Sequence, residues 1–250
     1  MKFGLTTYNL HNKDFREQLS SLLKNDIRPD FIIVHYGGIY RLSKALNFLK
    51  RTIKQYKFKS PSYILSRKQD QVISSFKLNQ EEEKEIDNFL AKAKIISAST
   101  ITLIKNFGEC IIACNSGRLN AEVLNISEAI FLNVHASKLP AYRGMNNVEW
   151  AIWENKEIWC TIHKISKGID EGDILLQEKI ETVDQDLKTI TEYRRYSFFK
   201  SNELIGKAVK GYIDKKLSFT KQGISNSPLN QYYVMHPILK GYLEKKLSGK

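Results

Sequence analysis

Three side chains near the middle of the chain have the types and spacing needed to move protons at a polarised centre. Asn133 and His135 stand two residues apart, just after the apolar run 129–132. Side chains in a strand alternate with period 2, so both fall on one face. The run itself reads as a buried strand of a parallel sheet. Ligands of open α/β sheets bind beyond the carboxyl ends of such strands. An amide that can donate and an imidazole that titrates near neutrality are therefore placed to address one site. The third group, Asp170, lies in the turn KGIDEGD between Gly168 and Gly172. A carboxylate on a glycine-flanked turn can swing into a cleft, where it stabilises an imidazolium or holds a water.

The surrounding elements must position these groups. SKLPAYRG is a loop stiffened by Pro140 and ended by Gly144. NNVEWAIWEN reads as a short helix with Asn146 or Asn147 as N-cap and Val148, Ile152 and Trp153 as its buried stripe. IWCTIHKIS and DILLQEKI read as strands. Upstream, Lys2 to Thr6 is a first strand, and Phe15, Leu19, Leu22 and Leu23 recur at helical spacing. Phe31 to His35 is a second strand, followed by a helix marked by Leu42, Ala45, Leu46, Leu49 and Ile53. This β-α-β-α beginning predicts an α/β, doubly wound, Rossmann-like and mostly parallel sheet with helices on both faces. EEEKEIDNFLAKAK is an amphipathic helix with acid at its start and base at its end, matching the helix dipole. Residues 109–114 form a further buried strand. After residue 180 one long helix is expected over DQDLKTITEYRRYSFFKSNELIGKAVKGYID, with Leu187, Ile190, Tyr193, Tyr196 and Phe199 on one face. An aromatic-rich loop at 227–237 and a last helix marked by Ile238, Tyr242, Leu243 and Leu247 complete the chain. The expected division is a catalytic domain at 1–180 and a small C-terminal subdomain at 181–250.

Asn133-Val-His135, Ser137-Lys-Leu-Pro140, Tyr142-Arg-Gly144, Thr161-Ile-His163 and Gly168-Ile-Asp170-Glu-Gly172-Asp-Ile-Leu175 follow one another at set separations. Together they resemble the folate-dependent formyltransferase family, over roughly residues 100–180. The resemblance implies an enzyme that uses 10-formyltetrahydrofolate, with Asn133, His135 and Asp170 catalytic. It also implies that Gly117, Arg118 and Leu119, at a strand end, bind the pterin through their backbone. Asn120 stands there in place of the usual apolar residue. Ser137, Lys138, Leu139 and Pro140 form the neighbouring cofactor-binding loop.

Formyl transfer to an amine is acyl transfer. An amine with a pKa near about 8 is mostly protonated at neutral pH, so a base must accept its proton. The oxyanion of the tetrahedral intermediate needs fixed donors, and the leaving nitrogen must regain a proton. Asn133 and His135 can serve the oxyanion, His135 can relay the proton, and Asp170 can stabilise the imidazolium. A hydrolase built on Ser137, His135 and Asp170 lacks the G-x-S-x-G elbow that exposes a nucleophilic serine. No Cys or His pair shows metal spacing, and Cys110 and Cys114 lack partners, so no metal is expected. No G-x-G-x-x-G follows the first strand, which argues against a dinucleotide. TTYNLHN there also departs from family members that formylate a ribonucleotide through a glycine-rich phosphate loop.

The chain has 250 residues, 42% of them hydrophobic, and a formal net charge of +12. There is no long apolar run and no signal-peptide core at the N-terminus, so a soluble, cytoplasmic protein without membrane contact is expected. The basic residues are spread along the chain and do not select between solvated lysines, an anionic substrate and a nucleic acid. Family members that formylate initiator methionyl-tRNA carry a further barrel domain, for which the segment after residue 180 is too short. The shape is similar to the sugar N-formyltransferases, as is the Tyr-Tyr-Val-Met-His-Pro segment at 232–237. The expected acceptor is therefore a dTDP-, GDP- or UDP-linked amino-dideoxysugar destined for surface polysaccharide such as O-antigen. Tyr232 and Tyr233 would stack on the base, and Arg143 would help bind the substrate. A homodimer is compatible with this reading. The alternatives are a methionyl-tRNA formyltransferase-like enzyme and a non-catalytic folate-binding relative.

Overall fold

A computed structural model of the protein describes residues 1–35, 76–98, 110–114, 124, 128–182, 187–223 and 231–249. The helix expected at 42–53 and the cofactor-binding residues Gly117, Arg118 and Leu119 lie outside the described residues.

A seven-stranded sheet organises the molecule. Strands β1 (Lys2–Thr7), β2 (Phe31–His35), β3 (Ile95–Ala98), β4 (Cys110–Cys114) and β5 (Ile130–His135) run parallel, and β7 (Trp159–Lys164) and β8 (Ile174–Lys179) are added antiparallel beside β5. The order is β3-β2-β1-β4-β5-β7-β8. The connections run outward from β1 to one side and from β4 to the other, as in doubly wound α/β folds. The mostly parallel sheet expected from sequence is thus present. Strand β3, IISA, carried too few residues to stand out from its flanks.

Helix α1 (Lys13–Lys24) starts where the Asn12 side chain accepts from Phe15 N, and it buries Phe15, Leu19, Leu22 and Leu23. Burying each such side chain is worth about 1.5–3 kcal/mol. Helix α2 (Gln80–Leu90) opens with a capping box between Asn79 and Glu82, which satisfies two end donors at once. It stops before Lys92 and Lys94, so the expected base at its end falls outside it. Helix α3 (Asn147–Trp153) has Asn146 at its N-cap in a left-handed conformation, φ 55°, with no side-chain cap. The Asn146 amide is engaged elsewhere: its Nδ2 donates to Glu149 (2.6 Å) and its Oδ1 accepts from Met235 N (2.9 Å). Val148 and Ala151 are buried in α3, whereas Trp153 is exposed, which corrects the expected stripe.

Helix α4 (Ile190–Ile213) is shorter than expected because Thr189 and Glu192 form a capping box that begins it. It packs on α1 and across β7 in the same hydrophobic core, crossing the boundary drawn at residue 180. Its inner face is Ser197, Ser201, Ile205 and Ala208, all buried, while Phe199 is half-buried and Ile213 exposed. Small residues let the helices approach closely. Gly206 N donates to Ser21 Oγ (3.1 Å), and Cys160 Sγ reaches Ser201 O (3.9 Å). Arg195 and Glu17 form a buried ion pair across the same interface, completed by Asn202.

Near the C-terminus a short strand β9 (Gln231–Tyr232) pairs parallel with β6 (Arg143–Gly144), and helix α5 (Pro237–Leu247) follows. Leu243 is buried in α5, with Leu239 and Leu247 packed beside it, while Ile238 and Tyr242 face solvent. The apolar stripe therefore runs i, i+4, i+8 from Leu239, not from Ile238. The expected loop at 227–237 contains β9, and between α4 and that loop Thr220 forms an isolated antiparallel bridge with Ile174.

Candidate active site

The register of β5 against β7 assembles the site. Asn133 lies opposite His163 and His135 opposite Thr161. All four side chains share one face of the sheet by alternation, while Leu132, Cys160 and Ile162 face the core below α4. Thr161 and Gln177 anchor the loop that follows β5. Thr161 Oγ1 donates to Ser137 O (2.7 Å) and accepts from Leu139 N (3.3 Å), and Gln177 Nε2 donates to Leu139 O (2.9 Å). The Leu139–Pro140 peptide is cis. Lys138 holds its ammonium 4.2 Å above the Trp159 ring, within cation–π range.

The two imidazoles have defined hydrogen-bond partners. His135 Nε2 lies 2.8 Å from the Tyr142 carbonyl, and His163 Nδ1 lies 3.0 Å from the Lys164 carbonyl. A carbonyl only accepts, so His163 Nδ1 carries the proton, and so does His135 Nε2 on the shorter of its two contacts, the Asn147 amide nitrogen lying farther away at 3.1 Å. In neutral His163 the lone pair then sits on Nε2, which accepts from Asn133 Nδ2 (3.1 Å). Burial, and then the neighbouring His135, push the His163 pKa down to about 4, so it stays neutral at physiological pH. The rings meet edge-on, with centroids 5.9 Å apart and planes at 88°.

Asp170 closes the site. Its residue adopts φ 54°, a left-handed conformation that Asp tolerates. Asp170 Oδ2 accepts from Gly144 N (2.8 Å) and lies 3.7 Å from His135 Nδ1; Oδ1 lies 3.8 Å from His163 Nε2. Those last two are ion-pair distances, too long for hydrogen bonds. Gln222 Nε2 donates to Asp170 O (3.0 Å) and Gly172 O (2.5 Å), bracing the turn from behind. Gly144 itself has φ 98°, and a side chain there would strike the Tyr232 carbonyl.

Asn133, His135 and Asp170 are thus brought together, and Ser137 to Pro140 border them. Arg143 requires a correction: it is buried, and its Nη1 donates to Glu171 (2.7 Å), so its charge holds the Asp170 turn and is not presented to a diphosphate. Tyr232 is likewise occupied within the protein. It stacks on Tyr142 (centroids 4.9 Å, planes 20° apart), and both hydroxyls donate to Glu154, at 2.9 and 2.6 Å. Burial and then Glu154 push both phenol pKa values up, that of Tyr232 to about 12. Tyr233 alone of the pair is open to solvent, 71% exposed.

Gln177 and Gln222, which brace the site, escaped the sequence reading, and Thr161 and His163 entered it as part of a motif without an assigned role. Period 2 already placed Thr161 and His163 on one face of their strand. Only the antiparallel pairing of β7 with β5 turns that face toward Asn133 and His135. Metal-ligand spacing along the chain concerns chelation within one element. Across elements, His135, His163 and Asp170 each bring a ligand-type atom within 4.8 Å of the others.

The profile of the formyl transferase family matches residues 53–206, more than half of the chain. The chain belongs to that family. A methionyl-tRNA formyltransferase from Lachnospira eligens is 30% identical over 155 residues, which is 61% of this chain and 46% of that protein. One from Thermodesulfovibrio yellowstonii is 33% identical over 117 residues, 46% of this chain and 35% of the relative. The matched part therefore spans less than half the length of either relative. Among solved structures, this formyl transferase family member resembles the N-formyltransferase from Helicobacter canadensis in complex with folinic acid and dTDP-3-aminofucose. The TM-score is 0.59 at 17% identity, covering 99% of this chain and 80% of the other. A 4-N formyltransferase from Francisella tularensis gives 0.54 at 14% identity, covering 98% and 87%. These are likenesses of fold. No helix among the described residues is long and apolar enough to cross a membrane.

Proposed function

We propose that the protein transfers a formyl group from 10-formyltetrahydrofolate to the amine of a nucleotide-linked amino sugar. The observation that carries the reaction class is the convergence of the Asn133 amide, the His135 imidazole and the Asp170 carboxylate on one face of the sheet. When bound, 10-formyltetrahydrofolate supplies an activated formyl carbon. The residues fit such a group: beside His135 two buried polar atoms, Ser137 Oγ and Asn147 Oδ1, have no partner, and a ligand bringing donors and acceptors there would satisfy them.

Each residue then has a defined task. His163 accepts one hydrogen of the Asn133 amide and so fixes its orientation, leaving the second N–H to stabilise negative charge on a carbonyl oxygen. His135, its Nε2 proton committed to Tyr142 O, has its lone pair on Nδ1 when neutral. That nitrogen takes a proton from the incoming amine, directly or through water. Asp170, at 3.7 Å, stabilises the resulting imidazolium. The imidazolium can return the proton to the leaving nitrogen. Gly144 N and Gln222 keep the carboxylate in place between these steps.

The acceptor is read from what borders this centre. Met145 N donates to Tyr232 O (3.0 Å), so the exposed Tyr233 is adjacent to the Gly144 that holds Asp170. A flat aromatic face beside the site suits a nucleobase. The sugar-directed enzymes with the same fold, including the one solved with dTDP-3-aminofucose, support this reading. The sequence identity to methionyl-tRNA formyltransferases and the net charge of +12 favour a second reading, tRNA as acceptor. The test supplies 10-formyltetrahydrofolate with dTDP-, UDP- and GDP-linked amino sugars and, separately, with methionyl-tRNA. A mass gain of one carbonyl on a sugar nucleotide is expected. Formylation of methionyl-tRNA with no sugar product would overturn the choice of acceptor.

A further inference from the structure

We infer that His135, His163 and Asp170 form a binding site for one divalent cation of the zinc class, and that its occupancy excludes formyl transfer. The inference starts from which atoms face each other. Both imidazoles donate their outward N–H to a backbone carbonyl, Tyr142 O and Lys164 O. Backbone carbonyls in that role are the usual outer partners of zinc-binding histidines, because they fix the tautomer that leaves a lone pair for the metal. The remaining nitrogens, His135 Nδ1 and His163 Nε2, turn toward the two oxygens of a single carboxylate, at 3.7 and 3.8 Å. No ring N–H points between the carboxylate and these nitrogens; the donors that reach the set are Asn133 Nδ2, at His163 Nε2, and Gly144 N, at Asp170 Oδ2. Two lone pairs and an anion converge on a common centre that a cation would satisfy.

The chemistry of the set selects the ion. Two imidazoles and one carboxylate are a zinc ligand set, and with Zn–N and Zn–O near 2.0–2.2 Å, adjacent ligands of a tetrahedral ion stand roughly 3.3–3.5 Å apart. The two His–Asp separations need to contract by a few tenths of an ångström, and since the three ligand atoms lie within 4.8 Å of one another, no pair must close by more than about 1.5 Å. Magnesium prefers an octahedron of oxygens and is poorly matched. One hydrogen bond must be given up, since His163 Nε2 now accepts from Asn133 Nδ2. A half-turn of that amide presents Asn133 Oδ1 in its place, as a further oxygen beside the ion. The ion would then hold the very atoms that the proposed transfer uses, the His135 lone pair and the Asn133 amide. Zinc would act as a reversible inhibitor and not as a catalyst.

The binding claim stands apart from the proposed transfer, because it needs only the three side chains. Zinc chloride is titrated by calorimetry into the chelator-treated full-length chain, with cobalt as a spectroscopic substitute. One saturating equivalent is expected, with tetrahedral-type visible cobalt bands and no competition from excess magnesium. Asp170→Asn and His163→Gln should each weaken binding by at least about tenfold, and His11→Gln, at an exposed histidine away from the site, should leave it unchanged. Asp170 lies in a turn, so its variant tests the site even if the buried His163 variant fails to fold. Absence of saturable uptake, or equal affinity in Asp170→Asn, would overturn the site. Undiminished formyl transfer with zinc bound would overturn the exclusion. A zinc-free enzyme that formylates nothing would count against the proposed function and leave the calorimetry intact.

Discussion

Gly172→Ala should move the Asp170 carboxylate without touching it. A Cβ built at Gly172 lies 2.6 Å from the carbonyl carbon of Lys164 and closer still to its oxygen. Carbon atoms in ordinary contact are about 3.5–4.0 Å apart, so the two backbone segments must separate by about 1 Å. Neither can yield cheaply. Lys164 N donates to Asp173 O (2.8 Å), the Lys164 carbonyl accepts from His163, and Gln222 holds both Asp170 O and Gly172 O. Overpacking of this kind costs about 1–3 kcal/mol, and in a chain of this size each kcal/mol lowers Tm by roughly 2–4 °C. A displacement of about 1 Å at a reacting group costs around 100-fold in rate, so kcat/KM should fall by about that factor. Gly168→Ala is the control. There the added methyl meets the end of the Glu171 side chain, which can rotate away at the expense of the Arg143 ion pair. Glu171 is 39% exposed but Arg143 is buried, so this variant can lose stability through the unpaired guanidinium, up to about 3–5 kcal/mol if water does not replace the carboxylate. The Lys164 backbone stays in place, and turnover per folded molecule is the readout that separates the two variants. Calorimetric melts and turnover measured on both variants decide the matter. Gly172→Ala with wild-type Tm and turnover would refute the account of how the turn is held.

Further outcomes follow from the same contacts. Thr161→Val keeps the shape but removes the hydroxyl that joins Ser137 O, Leu139 N and Gln177; stability should fall by about 1–3 kcal/mol in urea titrations, with KM for the folate rising more than kcat falls. Arg195→Ala leaves Glu17 buried without its cation and should cost about 3–5 kcal/mol; a change under about 1 kcal/mol would show that Asn202 suffices. His163 titrates in the unfolded chain near about 6.5 and in the folded protein at about 4. Between those values the unfolded state binds more protons, so stability should fall as pH drops from about 6.5 to about 4. In chelator-treated protein, His163→Gln should flatten that acid limb, and superimposable pH–stability curves would contradict the neutral assignment.

Much of the architecture was legible because it is written locally. Continuous apolar runs marked β2, β4 and β5, and helical spacing of large apolar residues marked α1. Polar alternation at the end of β5 put Asn133 and His135 on one face before any partner strand was known. The helix boundaries moved where a cap overrode propensity, as at Thr189, and where small polar residues formed the buried face. Ser197 and Ser201 are invisible to a search for large apolar side chains, yet they let α4 lie close to α1 and β7. In α5 the choice between two apolar stripes, through Ile238 or through Leu239, was made by what the helix packs against.

The sequence by itself determined the elements, the pair at the strand end and the carboxylate on its turn, because period and turn chemistry act over a few residues. Tertiary structure decided which of these meet. The antiparallel register of β7 on β5 brought His163 to Asn133. Pairing of β6 with β9 set half-buried Tyr232 against Tyr142 and Glu154, and Glu171 engaged Arg143 inside the protein. A side chain's face is set by its neighbours in the chain, but its partner is set by strands and loops far away in sequence, and the charge and proton state of the site depend on that partner.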